Sequence, residues 1–311
     1  MRYEKPFKTF DEQADLLIGR GMAADRGELI QCLRSAGYYR LSGYWHIFKQ
    51  KDDTFLDGTN LARVWDLYTF DRQFKLVVFD AVERVEVYLR AQLAYELAKS
   101  SGPFGYEDPQ NLPNLSQVRY AKLMERCHEA YDRSREPFAL HFKRDYSENA
   151  LPPYWALVNL MDFGMVLTLF RGAPNEVRES IASAFGVKPK VMESWLRTLN
   201  TVRNICAHHG RLWNRTLGTR PMIPRKKNDP RWHVPHEVRP DKVFAVLTIL
   251  SHMLEVAAPN TAWRERLFAL LGTRPQEDLR RMGFGDGWET CPIWTKWLPA
   301  GKRSNANPTK E

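Results

Sequence analysis

The sequence predicts an all-α protein. Apolar residues recur at spacings of three and four over several long stretches, which is typical of helices that bury one face. Capping residues precede many of these stretches, and glycine or proline follows them. Alternating apolar and polar residues, the pattern of a half-buried strand, are scarce along the chain. These observations favour a helical bundle over a mixed fold.

Two short helices are predicted at the start of the chain. Thr9-x-x-Glu12 and Asp25-x-x-Glu28 have the spacing of capping boxes, in which the first side chain and the acidic side chain satisfy backbone N–H groups of the first turn. Gly37 is placed to end the second helix.

The segment Tyr38–Phe48 is rich in aromatic residues around Arg40 and His46. This density of rings predicts a packing layer. Arg40 and His46 stand at R-x5-H spacing within this segment, and we favour a structural role for both.

A helical pattern extends from Thr59 to about Ser100. Glu83, Glu86 and Arg90 flank its second half, where Glu86 and Arg90 can form an i, i+4 ion pair. The apolar stripe of that half consists of Val78, Val82, Val85, Leu89, Leu93 and Leu97.

The middle of the chain continues the helical pattern. Residues 101–116 contain several glycines and prolines and are predicted to form a loop, and a helix follows to about Asp132. The charged stretch 133–149 is interpreted as a solvated insertion. Residues 154–170 are predicted to form one apolar helix that ends at Gly172.

A helix that begins near Pro189 leads into the segment Arg203–Arg215, which concentrates arginines, two adjacent histidines, asparagines and a tryptophan. A hydrophobic core does not require that mixture. Gly210 is predicted to stop the helix. The apolar stripe that precedes the segment consists of Val191, Trp195, Leu199, Val202 and Cys206.

Arg203 and His208 stand at R-x4-H spacing. On a continuous helix they would differ by about 140° in direction, so the helix must end or distort near Ala207 for the two side chains to converge. The same count places His209 over the apolar stripe, as a neutral core residue, and turns His208 toward solvent.

An extended basic segment follows the motif. Its cations can contact phosphates and its tryptophan can stack on a base, whereas the alternative is a proline-stiffened crossover, and both interpretations stay open. The candidate RNA-binding residues are Arg211, Arg215, Arg225, Lys226, Lys227 and Trp232.

Composition favours a polyanionic partner. The net charge of the 311 residues is +9 and the sequence pI is about 9.4, and no basic amphipathic segment indicates a membrane surface. The four cysteines are scattered, and we expect a chain without signal peptide or membrane span in a reducing cytoplasm. The histidines lack the spacing of a zinc site, so no metal or cofactor is predicted.

The run R-N-x-C-A-H-H-x-R-L-W-N-R at Arg203–Arg215 resembles the signature of the Abi (abortive infection) family of phage-defence proteins, a branch of the HEPN superfamily. Y-Y-R-L-x-x-Y from Tyr38 and V-E-R-V-E-x-x-L-R from Val82 are similar to other segments of that family. The resemblance extends from Tyr38 to about Trp297.

The resemblance implies an HEPN-like helical bundle at residues 59–257. Residues 1–58 would form an N-terminal helical extension, and residues 258–311 would form a C-terminal helical and aromatic extension with a disordered tail after Leu298.

The resemblance also implies a metal-independent endoribonuclease that leaves 2′,3′-cyclic phosphate ends and acts as a toxin in phage defence. RNA carries its own nucleophile, so an imidazole and a guanidinium can suffice. The implied catalytic residues are Arg203, Asn204, His208 and His209. Glu83 and Glu86 would orient Arg203 or set the protonation of a histidine.

The implied partners are substrate RNA, a second copy of the chain, and a restraining structured RNA or acidic antitoxin. HEPN nucleases generally combine two motifs in one cleft, and this chain has one convincing R-x4-H motif. The alternative is a catalytically silent module that binds RNA or protein.

Overall fold

The computed structural model describes Arg2, Glu4 and residues 6–146, 148–295 and 297. The disordered tail predicted after Leu298 lies outside these residues. Within the described residues the fold is all-α, as predicted, with two isolated β-bridges and no strand. The helices are α1 Phe10–Gly19, α2 Arg26–Ala36, α3 Tyr38–Trp45, α4 Leu61–Ser101, α5 Gln117–Arg133, α6 Pro137–Asp145, α7 Tyr154–Leu160, α8 Phe163–Gly172, α9 Asn175–Ala184, α10 Pro189–Ala207, α11 Val243–Ala257, α12 Trp263–Leu271, α13 Gln276–Met282 and α14 Pro292–Thr295.

The chain forms two compact units. The first unit comprises Met1–Leu76 together with His209–Trp213, and the second comprises Val77–His208 together with Asn214–Glu311. The first unit therefore includes a five-residue segment that follows α10 in sequence. The three-part division at residues 58 and 257 stays a prediction.

Of the two capping boxes predicted in the first unit, the one at Thr9 forms completely and the one at Asp25 forms in its N-cap half. Thr9 Oγ1 accepts from the backbone N–H of Glu12 at 3.2 Å, and Thr9 N donates to the Glu12 carboxylate at 2.7 Å, which completes the box. Asp25 accepts from the backbone N–H of Glu28 at 2.9 Å. Local sequence thus determines where α1 and α2 begin.

The aromatic segment is a packing layer within the first unit, as predicted. Tyr44 and Trp45 are buried, and the Trp45 ring meets the rings of Tyr38 and Phe55 edge-on at 5.1 and 6.4 Å. His46 Nδ1 bonds the Gly43 carbonyl at 2.9 Å.

The second unit contains the remaining length of α4 and helices α5 to α14. All six residues of the predicted α4 stripe are fully buried, so this stripe is confirmed. Helix α10 packs against α8, α9 and α11. Because α11 is buried along most of its length, α10 lies on a rigid apolar support.

One prediction for the middle of the chain is wrong. Residues 154–172 form two helices, because Asp162 leaves the helical path and its side chain accepts from Met165 N at 3.0 Å to cap α8. The stretch interpreted as a solvated insertion is largely exposed where it is described, and it contains the short helix α6, which begins at Pro137 and buries Ala139. Across the described part of the chain, no helix combines the length and hydropathy that a bilayer crossing requires.

Candidate functional site

Helix α10 delivers the motif residues to its C-terminal end. Pro189 occupies the first turn, where its missing N–H costs no hydrogen bond, and Trp195, Leu199 and Val202 are fully buried. The helix ends at Ala207, as the convergence of Arg203 with a histidine requires. The backbone N–H of His208 still donates to the Asn204 carbonyl at 2.9 Å, so His208 is the cap residue.

The two histidines leave the helix in different backbone conformations. His208 has φ −91° and ψ 16°, and His209 has φ 58°, in the left-handed region. His209 is therefore the residue that turns the chain out of the helix. The prediction that Gly210 stops the helix is wrong.

Both histidine side chains are exposed. The prediction that His209 lies over the apolar stripe is therefore wrong. The helical count was extended past Ala207, where the helix has already ended. Exposure makes both imidazoles accessible to a substrate, and the two can no longer be distinguished by burial.

Arg203 faces an acidic side chain of α4 at ion-pair distance, without a hydrogen bond from its Nε. Its Nε lies 3.9 Å from Glu86 Oε2, and its Nη1 donates to the Asn204 side chain at 3.3 Å. The Glu86 side chain is 10% exposed and also pairs with Arg90, whose guanidinium donates to the Val158 carbonyl. One buried carboxylate therefore supports two guanidinium groups, while Arg203 retains 31% exposure toward solvent.

The two carboxylates implied as supports of the site differ in environment. Glu86 reaches Arg203, whereas Glu83 is exposed one turn earlier on α4, beside Arg84. The structure thus brings Arg203, Asn204 and Glu86 together, with His208 four residues beyond Asn204 on the same chain segment.

The candidate RNA-binding cations differ in exposure. Arg215, Arg225, Lys226 and Lys227 are exposed. Arg211 is half-buried in the first unit. Its side chain lies over Gly43 of α3, where an added Cβ would be in van der Waals contact with Arg211 Cδ at 3.5 Å. Arg211 therefore has a packing role in that unit.

The prediction that Trp232 stacks on a base is wrong. Its side chain is fully buried, its ring lies 5.2 Å from Trp195 and 5.6 Å from His252, and its Nε1 donates to Asp229 at 3.0 Å. A short 3₁₀ helix at Pro230–His233 turns the ring inward. For this residue the crossover interpretation is the better one, because core packing leaves no face for a nucleobase.

Asp71 is a residue beside the motif that the sequence analysis missed. It is fully buried in the first unit, where it accepts from Tyr44 Oη at 2.7 Å and from the backbone N–H groups of Leu212 and Trp213 at 3.2 and 2.6 Å. A signal was present, because Asp71 stands at a stripe position of α4 between buried apolar residues. Those stripe neighbours are Val64, Leu67, Phe74 and Val78.

The two histidines of the basic segment after the motif have structural partners. His233 Nε2 bonds the Pro224 carbonyl at 2.8 Å, and His236 Nε2 bonds the Asp286 carbonyl at 2.9 Å. Among the residues described, no group of three or more His, Cys, Asp or Glu side chains is placed to hold a metal ion.

Comparison with known proteins gives one match. The family model described as Abi-like protein matches residues 31–214, more than half of the chain, and this span includes Glu86, Arg203 and His208. No curated protein and no solved structure matches the chain. The chain therefore belongs to the Abi-like protein family.

Proposed function

We propose that this chain is a metal-independent endoribonuclease that acts in abortive infection. Membership of the Abi-like family suggests the role in phage defence. The observation that supports the chemistry is the ion pair of Arg203 with buried Glu86. Arg203 lies one turn before the end of α10, where His208 is exposed.

The reaction uses the substrate's own nucleophile. His208 accepts the proton of a ribose 2′-hydroxyl while the 2′-oxygen attacks the adjacent phosphorus. Arg203 stabilises the negative charge of the phosphorane with its planar N–H donors. The P–O5′ bond then breaks and the 5′-oxygen receives a proton from the imidazolium. The products are a 2′,3′-cyclic phosphate and a 5′-hydroxyl, and the atoms balance without an added water.

Glu86 and Asn204 are the supports of Arg203. A guanidinium that must meet a transient charge is more effective when its orientation is fixed before the reaction. The Glu86 carboxylate attracts Arg203 from 3.9 Å without a hydrogen bond to its Nε, and the side-chain oxygen of Asn204 accepts a hydrogen bond from its Nη1. Glu83 is assigned no role in the reaction, because its side chain is exposed.

The functional assembly is a homodimer. Each chain supplies one R-x4-H motif, so two copies provide the pair of motifs. An apolar groove between α4 and α7 suits the contact, because Val87, Tyr95 and Trp155 in it are 53%, 64% and 56% exposed. Arg90 lines the same groove and pairs with Glu86, so the groove is continuous with the supports of Arg203. A monomer by light scattering under cleavage conditions contradicts this assembly.

RNA is the favoured partner, both as substrate and as a restraining molecule. The net charge is +9, and the exposed cations Arg225, Lys226 and Lys227 offer phosphate contacts. Copurified nucleic acid identifies such an RNA by sequencing. A clean protein spectrum at low salt favours an acidic antitoxin instead.

Cleavage of labelled single-stranded RNA in EDTA tests the activity. Wild type should cleave to cyclic phosphate ends, while Arg203→Ala and His208→Ala should lose activity. The exposed His208 can be replaced at unchanged melting temperature. Two exposed residues provide matched controls, Arg197→Ala on α10 and His128→Ala on α5. Equal cleavage by wild type and both motif variants indicates a contaminant. RNA binding without cleavage under any condition supports the silent binding module.

A further inference from the structure

The first unit contains a polar network around the segment that follows His208. Its centre is the fully buried Asp71 carboxylate, which accepts from the N–H groups of Leu212 and Trp213 and from Tyr44 Oη. Lys75 Nζ lies 3.4 Å from the same carboxylate. The charge of Asp71 is thus balanced and its acceptor sites are used, which is the condition for a stable buried carboxylate.

Two cations of this network also hold the His209 carbonyl. Arg40 Nη1 donates to it at 2.6 Å, and Lys75 Nζ approaches it at 3.4 Å. Lys75 is 7% exposed, so its contacts with Asp71 and with His209 are shielded from water. The backbone of His209 is therefore held by side chains of α3 and α4.

His209 requires such support. Its φ of 58° is a conformation that residues with a side chain rarely adopt, and it directs the chain away from α10 directly after His208. Arg40 donates to the His209 carbonyl at one end of this turn. At the other end, Asp71 accepts from the backbone N–H groups of Leu212 and Trp213.

We infer that Arg40, Lys75 and Asp71 are positioning residues for the catalytic turn, acting through the backbone of His209. The effect on catalysis that we infer rests on the proposed function. His208 precedes His209 by one peptide bond, so restraint of the His209 carbonyl restrains the backbone that carries the imidazole. Arg40 and His46 are accordingly not a second catalytic pair: Arg40 serves the motif, and His46 bonds the Gly43 carbonyl at 2.9 Å.

Arg40→Ala is the sharpest test, because the side chain is exposed and the variant should fold. We expect kcat for RNA cleavage to fall between about 10- and 100-fold with KM unchanged, since a misplaced general base affects the chemical step. Arg40→Lys should recover part of the rate by restoring one donor. Arg72→Ala removes an exposed arginine of α4 next to Asp71 and should have no effect.

Two further readouts separate positioning from catalysis. The pH profile of kcat in Arg40→Ala should keep the shape of the wild-type profile, because His208 is still present. Amide hydrogen exchange should accelerate across residues 208–213 and stay unchanged in the preceding turns of α10. Asp71→Asn should accelerate exchange at Leu212 and Trp213, because an amide cannot accept from all the donors that face Asp71.

Unchanged exchange at residues 208–213 in Arg40→Ala overturns the inference, and so does wild-type kcat in an active protein. A rise in KM at constant kcat also overturns it, because that result makes Arg40 a substrate contact. If the wild type cleaves no RNA at all, the proposed nuclease fails, while the exchange measurement still decides whether Arg40 restrains the turn.

Discussion

The Glu86 carboxylate lies 3.9 Å from Nε of Arg203 and pairs at the same time with Arg90. With 10% of the Glu86 side chain exposed, its charge is poorly screened by water. Removal of that charge leaves two arginines facing a neutral group. Glu86 therefore contributes both to stability and to the orientation of Arg203.

Glu86→Gln should lower the free energy of unfolding by about 1–3 kcal/mol, because the charge-assisted contacts with two arginines are lost. It should also reduce RNA cleavage. Glu83→Gln on the exposed side of α4 should change stability by less than about 0.5 kcal/mol. Urea unfolding of both variants measures the difference. Equal stabilities would show that the Glu86 contacts contribute little in solution.

Local signals predicted much of this fold. The capping box at Thr9, the N-cap at Asp25 and the stripe of α4 depend on residues within a few turns, and each is observed. The helix break at Asp162 was missed, because an aspartate inside an apolar run can either cap a new helix or point to solvent.

The errors at the site arise from contacts between distant residues. Asp71 bonds an amide 141 positions away at Leu212, and neither sequence neighbourhood indicates the other. Trp232 follows basic and proline-rich residues but packs on Trp195, 37 positions earlier in the chain. The pairing of Arg203 with one of two glutamates likewise depends on how α4 and α10 pack, which periodicity alone does not determine.

The exposed basic cluster allows a test of the RNA contact. Replacement of Arg225, Lys226 and Lys227 by alanine removes three exposed charges. RNA affinity should fall because three phosphate contacts are lost. The negative slope of log K against log salt concentration should become shallower by about 2. The melting temperature should stay constant. Filter binding at several salt concentrations measures the slope, and an unchanged slope places the RNA elsewhere.

Trp232→Ala should behave in the opposite way. The ring is fully buried against Trp195 and His252, so its removal should cost about 3–5 kcal/mol of stability. Folded protein at low temperature should retain the salt dependence of RNA binding. Thermal unfolding followed by circular dichroism measures the first effect. Wild-type stability together with weakened RNA binding would restore the stacking role.

His252 should make stability depend on pH. Burial lowers the pKa of its imidazole, and its Nε2–H donates to the Phe185 carbonyl at 2.8 Å. Because the folded pKa is below the unfolded value of about 6.5, the unfolded chain binds the proton more readily. The contribution of neutral His252 to the stability of the folded protein is therefore fully present above about pH 6.5. It is lost as the pH falls toward the folded pKa of His252.

The melting temperature should accordingly decrease as the pH falls below about 6.5. His252→Gln keeps an N–H donor for Phe185 and removes the titration, so its profile should be flatter. His128→Gln, at an exposed position, should retain the wild-type slope. Parallel slopes for all three proteins assign the pH dependence to other groups.

The last prediction separates the two exposed histidines. His209 has φ 58°, which costs a residue with a side chain about 1–2 kcal/mol, while glycine adopts it freely but loses more entropy on folding. His209→Gly should therefore change stability by less than about 1 kcal/mol, and His209→Val should be clearly destabilising. If His208 is the general base, His209→Gly keeps RNA cleavage and His208→Ala abolishes it. Calorimetry and cleavage rates on the three variants provide the comparison. Loss of cleavage in His209→Gly at constant melting temperature transfers the catalytic role to His209, through its R-x5-H spacing from Arg203.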